Sequence, residues 1–136
     1  MRASAPTLEL LVDYYAEMET NDPERYGAYY ADDMTLRFAN SPVITGRRNA
    51  MEAFSQVLGR VTSLKHDLVN VWEEDDGLVL FESVGTWYLR SGTTVSINAF
   101  SAFTVADGLF VDQRIYVDNA PLFAALEKED RADAQA

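Results

Sequence analysis

The chain contains no cysteine and a single histidine among its 136 residues. Disulfides and thiol chemistry are excluded, and a zinc site would have to form without thiolates around one imidazole, so no metal site is expected. Basic side chains are also scarce, with 11 Lys and Arg against 22 Asp and Glu and a formal charge of −11. A surface of that sign repels a phosphate backbone, which argues against a nucleic-acid partner. No apolar run approaches the roughly 18 residues that a membrane span requires, and the stretch from Met1 to Thr7 lacks the apolar core of a signal peptide. A cytoplasmic protein with no membrane partner is the expectation.

Apolar side chains are plentiful, at 48% hydrophobic and 12% aromatic, the composition of a compact globule. The length suits one domain, taken as 1–128, followed by an acidic, Ala-rich tail over 129–136 that is expected to be disordered. The segment from Leu78 to Asp118 organises the remainder. It reads as three long strands, Leu78 to Arg90, Thr93 to Ala106 and Leu109 to Asp118. The breaks fall at Ser91-Gly92 and Ala106-Asp107-Gly108, where Gly supplies the positive φ of tight hairpin turns. Within the first strand Phe81, Ser83, Gly85 and Trp87 share one face, and Leu80, Glu82, Val84, Thr86 and Tyr88 share the other. Both faces are half apolar, so both need covers. Ser and Gly between Phe and Trp leave a hollow, because small residues make room beside large ones.

Upstream, Leu8, Leu11, Val12, Tyr15 and Met18 recur at three- and four-residue intervals, predicting an amphipathic helix from about Thr7 to Thr20 with Tyr14 at the edge of its stripe. Asp22-Pro23-Glu24 restates a helix start. Alternation from Met34 to Phe38 predicts a short strand, and Ala50, Met51, Phe54, Val57, Leu58 and Val61 predict a third helix ending near Gly59. Leu64 to Glu74 is a fourth long strand closed by Asp75-Asp76-Gly77, and Asp118 or Asn119 caps a last helix through Leu126. Helices gathered on one face of a curved antiparallel sheet make an α+β fold.

That order resembles the nuclear-transport-factor-2-like cone, and within it the SnoaL-like branch. The resemblance covers about Leu8 to Leu126. It is carried by Tyr30-Ala31-Asp32-Asp33, by Pro42 through Gly46 before a helix, by Asp107-Gly108, and by Tyr116-Val117-Asp118 leading into Pro121-Leu122. It implies an apolar pocket enclosed by helices and a concave sheet, used in the family by isomerases, dehydratases, epoxide hydrolases, polyketide cyclases and non-catalytic binders.

Set against those chemistries, the chain lacks most proton carriers. A ketosteroid isomerase-like site would place its donor at Tyr14, its base at Phe38 and its second acid at Phe100. An epoxide hydrolase-like set falls on Ser83, Gly85 and Ile115, and the cyclase acid also falls on Ile115. The dehydratase pattern keeps more: His66 on the first long strand as acid/base, Glu19 to orient it and Tyr14 to polarise a carbonyl. Asn98, read on the same face as Phe100, could hold a substrate oxygen. Phe54 and Phe81, with Phe38, Trp87 and Phe100, would form an apolar wall for a flat, aromatic or polycyclic ligand.

The expected function is therefore cofactor-free dehydratase, isomerase or cyclase chemistry on a carbonyl compound of polyketide or steroid type. The alternative is a non-catalytic binder or dimerisation module of the same fold. Simpler roles compete at several positions: a hydrogen-bonded core imidazole at His66, a core tyrosine at Tyr14, an exposed acid at Glu19, a helix cap at Asp118. A homodimer through the outer sheet face is expected, because Val84, Tyr88, Ile97, Ala99 and Phe103 would otherwise form an exposed apolar patch.

Overall fold

The computed structural model describes residues 1–135. Its elements are α1 (Ala5–Glu19), α2 (Pro23–Gly27), β1 (Tyr30–Phe38), β2 (Ile44–Thr45), α3 (Arg47–Leu58), β3 (Ser63–Glu73), β4 (Leu78–Tyr88), β5 (Thr94–Ala106), β6 (Leu109–Val117) and α4 (Ala120–Gln135). The six strands form one sheet in the order β2-β1-β6-β5-β4-β3. Every neighbouring pair is antiparallel except β1 with β6, which run parallel. The architecture is α+β, with a curved, unclosed sheet and helices held against its concave face.

Each helix begins where local chemistry allows it. The Asp22 carboxylate accepts from the Glu24 amide at 3.0 Å and so satisfies a donor that the start of α2 would leave orphaned. Gly46 precedes α3 with φ +98°, a conformation that costs a side-chain-bearing residue far more. Asp118 accepts from the Ala120 amide at 2.9 Å at the head of α4, which is the capping role available to it in the sequence. The helix does not stop where a disordered tail was expected. Residues 129–135 continue α4, where Ala132, Ala134, Glu129, Arg131 and Gln135 are good helix formers and outnumber the two Asp, with Glu127 and Arg131 paired one turn apart at 3.3 Å. Ala136 lies outside the described residues.

The core sits between α1 and the sheet. Leu11, Tyr14, Tyr15 and Met18 are the buried stripe of α1. Tyr14 meets Phe110 edge-on at 4.8 Å, Phe110 meets Phe103 at 5.2 Å, and Phe103 meets Phe81 at 4.8 Å. Edge-to-face contacts of this kind add to the area that large rings already bury. Phe110 is fully buried, so Phe110→Ala is expected to lower unfolding free energy by about 3–5 kcal/mol. Urea denaturation of the pair of proteins measures it, and a loss below about 1 kcal/mol would show that the ring is not part of a close-packed core.

Candidate functional site

A cavity of about 420 Å³ opens between the helices and the inner face of the sheet, a size ordinary for small-molecule sites. Strand β4 contributes Ser83, Gly85 and Trp87 to its wall, β5 contributes Ile97, Ala99, Ser101 and Phe103, and β6 contributes Ile115 and Val117. Leu64 and His66 come from β3, Phe38 from β1, Tyr14 and Tyr15 from α1, and Phe54 from α3. Among the described residues that line it there is no Asp, Glu, Lys or Arg.

His66 supplies its only imidazole. The imidazole stacks on Tyr15, with centroids 4.0 Å apart and planes 22° from parallel. Part of the residue borders the cavity, yet Nδ1 is sealed and has no hydrogen-bond partner. Burial pushes the imidazole pKa down to about 3, because a cation there would lose its hydration with no carboxylate to replace it. At physiological pH the ring is neutral. Tyr14 shares a 2.6 Å hydrogen bond with the Tyr30 hydroxyl, and burial raises its pKa well beyond the usual phenol range. The Gln113 carboxamide approaches the Tyr14 hydroxyl without completing a well-formed hydrogen bond, so both of its polar atoms stay unpartnered.

The SnoaL-like domain model matches residues 11–113. The chain belongs to the SnoaL-like family. Solved structures with the same fold include AclR from Streptomyces galilaeus, described as a candidate hydroxylase, at 16% identity and TM-score 0.75, covering 93% of this chain and 98% of that one. A candidate SnoaL-like polyketide cyclase from Jannaschia sp. CCS1 is 17% identical, with TM-score 0.74 and coverage of 93% and 97%. An LEH-like epoxide hydrolase of M. tuberculosis is 19% identical, with TM-score 0.71 and 88% coverage of each chain. No curated protein sequence matches the chain.

In this SnoaL-like cone Ser83, Gly85 and Ile115, where an epoxide hydrolase-like set would stand, border the cavity together with Phe38, Phe54 and Trp87. Other expected positions do not. Phe81 is fully buried in the core beneath, against Phe103. Asn98 and Phe100 are exposed on the outer face, Phe100 at 41%. Ile97, Ala99 and Phe103, expected outside, point inward. The cause is one residue in the β4–β5 turn. A two-residue Ser91-Gly92 turn would oppose Gly85 to Asn98, whereas Leu89 and Thr93 close a three-residue turn of Arg90, Ser91 and Gly92, and Gly85 opposes Ile97. With a side-chain period of two, one extra residue exchanges the faces of β5.

Glu19 is exposed at the end of α1. At about 100° per residue it lies about 90° from the centre of the buried stripe, and only its backbone carbonyl meets β3, accepting from Ser63 Oγ at 2.8 Å. No acid orients His66. Trp72 is likewise outside, because a bulge between Leu68 and Asn70 reverses the alternation of β3. There it stacks on Phe100 at 6.5 Å with Arg2 above it. Arg114 and Tyr116 also face outward, Arg114 pairing with Asp112 at 3.2 Å.

Tyr15 holds the imidazole by stacking, and Gln113 is fully buried near Tyr14 without lining the cavity. Tyr15 belongs to the α1 stripe, but nothing local in the sequence pairs it with His66. Gln113 alternates with Ile115 along β6, a period-two signal that was available.

The low imidazole pKa has a measurable consequence. Between about pH 3 and the ordinary value of 6.5 the unfolded chain binds a proton at His66 that the folded chain refuses. Folding stability contributed at this position is therefore complete above pH 6.5 and falls as pH drops towards 3. Compared with His66→Gln by chemical denaturation, the wild type is expected to lose stability progressively through that window. Curves that stay parallel would mean that the imidazole is hydrated.

Proposed function

We propose that this SnoaL-like protein holds a neutral, largely apolar small molecule bearing a hydroxyl or carbonyl oxygen, and that His66 and Tyr14 are the groups that meet the oxygen. The supporting observation is the uncharged cavity wall that nonetheless includes His66, whose Nε2, unlike the sealed Nδ1, adjoins the wall at Gly85. A charged ligand would surrender its hydration there without compensation, and a wholly apolar one would leave the imidazole unsatisfied.

A second reading, cofactor-free dehydration, isomerisation or cyclisation, is favoured by the presence of both His66 and Tyr14 on one cavity. In a dehydration the imidazole would take the proton α to a carbonyl while Tyr14 donates to the carbonyl oxygen. The imidazolium would then return that proton to the departing β-hydroxyl, releasing water and an enone. An imidazole of depressed basicity suits a substrate whose α-proton is already acidified, as between two carbonyls.

The two readings separate in one experiment, using neutral polycyclic β-hydroxyketones as ligands. Binding without turnover, weakened no more than about tenfold by His66→Gln or Tyr14→Phe, is expected of the binder. Turnover that falls about 100-fold or more in His66→Gln is expected of the enzyme. Failure of every such compound to bind would overturn both.

We also propose a homodimer through the outer sheet face. The corrected β5 register leaves Val84, Tyr88, Phe100 and Tyr116 on that face beside Trp72, three of them large and exposed at 37%, 41% and 45%. Aromatic exposure on this scale marks association surfaces. Light scattering at micromolar concentration is expected to give the mass of two chains, and Phe100→Asp the mass of one. A monomeric wild type would contradict the proposal.

A further inference from the structure

A glycine inside a long strand weakens it, so its presence asks for a cause. Three are available: a backbone angle that other residues avoid, neighbours too close for a Cβ, or space reserved for something else. Gly77, in the turn between β3 and β4, shows the first two together, with φ +85° and a Cβ position that would collide with the Val105 carbonyl oxygen. Gly85 shows neither. Its φ lies outside the left-handed region. A Cβ there would meet Leu64 Cδ1 at 3.4 Å, His66 Nε2 at 3.9 Å and the Ile97 carbonyl oxygen at 3.9 Å. These are ordinary contacts, and the nearest is the movable end of a side chain.

The third cause remains, and the sheet shows what the space adjoins. Gly85 lies directly opposite His66 on one neighbouring strand and Ile97 on the other, and all three border the cavity. The missing side chain is thus a notch in the cavity wall beside the imidazole. Since Nδ1 is sealed, Nε2 is the ring nitrogen that the notch adjoins.

We infer that the notch at Gly85 is the ligand's polar subsite: the oxygen-bearing edge of a neutral ring compound enters it and hydrogen-bonds to His66 Nε2. This rests on the cone being a ligand site. A hydroxyl would donate to the nitrogen and a carbonyl would accept from its N–H, since neutral imidazole offers either at Nε2 according to tautomer. Position 85 then determines specificity. An added Cβ there, 3.9 Å from Nε2 and in ordinary contact with its neighbours, narrows the oxygen's approach to the nitrogen without straining the backbone.

Because His66 is the only histidine, its ring ¹⁵N resonances report on this subsite without ambiguity. The test titrates uniformly ¹⁵N,¹³C-labelled full-length protein with 1-tetralone and with 2-naphthol, one carbonyl and one hydroxyl probe. Methyl signals of Val57 and Ile115 follow cavity occupancy. For at least one probe, saturation is expected to move the His66 Nε2 resonance in the wild type. Gly85→Ala is expected to weaken that binding about tenfold, the cost of a displaced hydrogen bond and its contacts, while leaving the thermal midpoint at or above that of the wild type. Gly85→Val is expected to abolish the Nε2 response. Occupancy reported by the methyls while Nε2 stays still, or unchanged affinity in Gly85→Ala, overturns the subsite and leaves the cone reading intact. A wild type that binds neither probe overturns both.

Discussion

The register of β5 against β4 decides which side chains enclose the cone. Pairing Ser83 with Ala99 and Gly85 with Ile97 brings small residues to the centre of the inner face, and Ser101 continues the series along β5. Phe103, Phe81 and Trp87 stand around them. A sheet whose middle is small and whose margin is large cannot fill the space beneath itself, whatever α1 places opposite. The hollow is therefore a property of strand pairing, and a slip of one residue would have replaced Ala99 and Ser101 by Phe100 and Ala102 and turned polar Asn98 into the wall.

The same register settles electrostatics. No Asp, Glu, Lys or Arg of β3 to β6 lines the cavity, which receives only hydroxyls, an amide and one imidazole as polar groups. With no carboxylate to compensate, desolvation alone governs His66. Tyr15, stacked against its face, supplies packing but no hydrogen bond, so the ring is held in place without being satisfied. On the opposite side Tyr14 is tied to Tyr30. Either hydroxyl can be the donor in that bond, so it fixes where the Tyr14 oxygen lies and leaves the Tyr14 proton to give only when Tyr30 is the donor.

Much of this architecture is legible in the chain itself. The stripe of α1, the Asp22 and Asp118 caps and the Asp107-Gly108 turn are local signals with local causes, and each stands within a residue or two of its expected place. The SnoaL-like resemblance likewise needs only the order and spacing of elements. What the chain conceals is parity. On β5 the two faces read Ile97, Ala99, Phe103 and Asn98, Phe100, Ala102, both apolar enough to be buried, so hydrophobic alternation cannot choose between them. The choice lies in whether Arg90 belongs to the strand or to the turn. In β3 the bulge near Val69 is set by pairing with β4 and leaves no mark in composition. Glu19 fails for a different reason: the dehydratase pattern asks for an acid from the first helix, but its helical angle turns Glu19 towards solvent.

An uncharged cavity also constrains any chemistry performed in it. A proton moved from a neutral substrate to His66 creates an imidazolium and a carbanion or enolate together, in a medium where each alone would be very costly. Held in contact, the two attract strongly in that low dielectric, so the pair is tolerable only while it stays a pair. A hydrogen bond from Tyr14 to the enolate oxygen would favour it at no cost in net charge. A reaction compatible with this wall must return the proton to the same molecule before either charge departs. Dehydration and isomerisation do so, because the base that takes the proton gives it back. Chemistry that leaves a lone cation behind, or that requires a stored carboxylate, has no counterpart among these side chains.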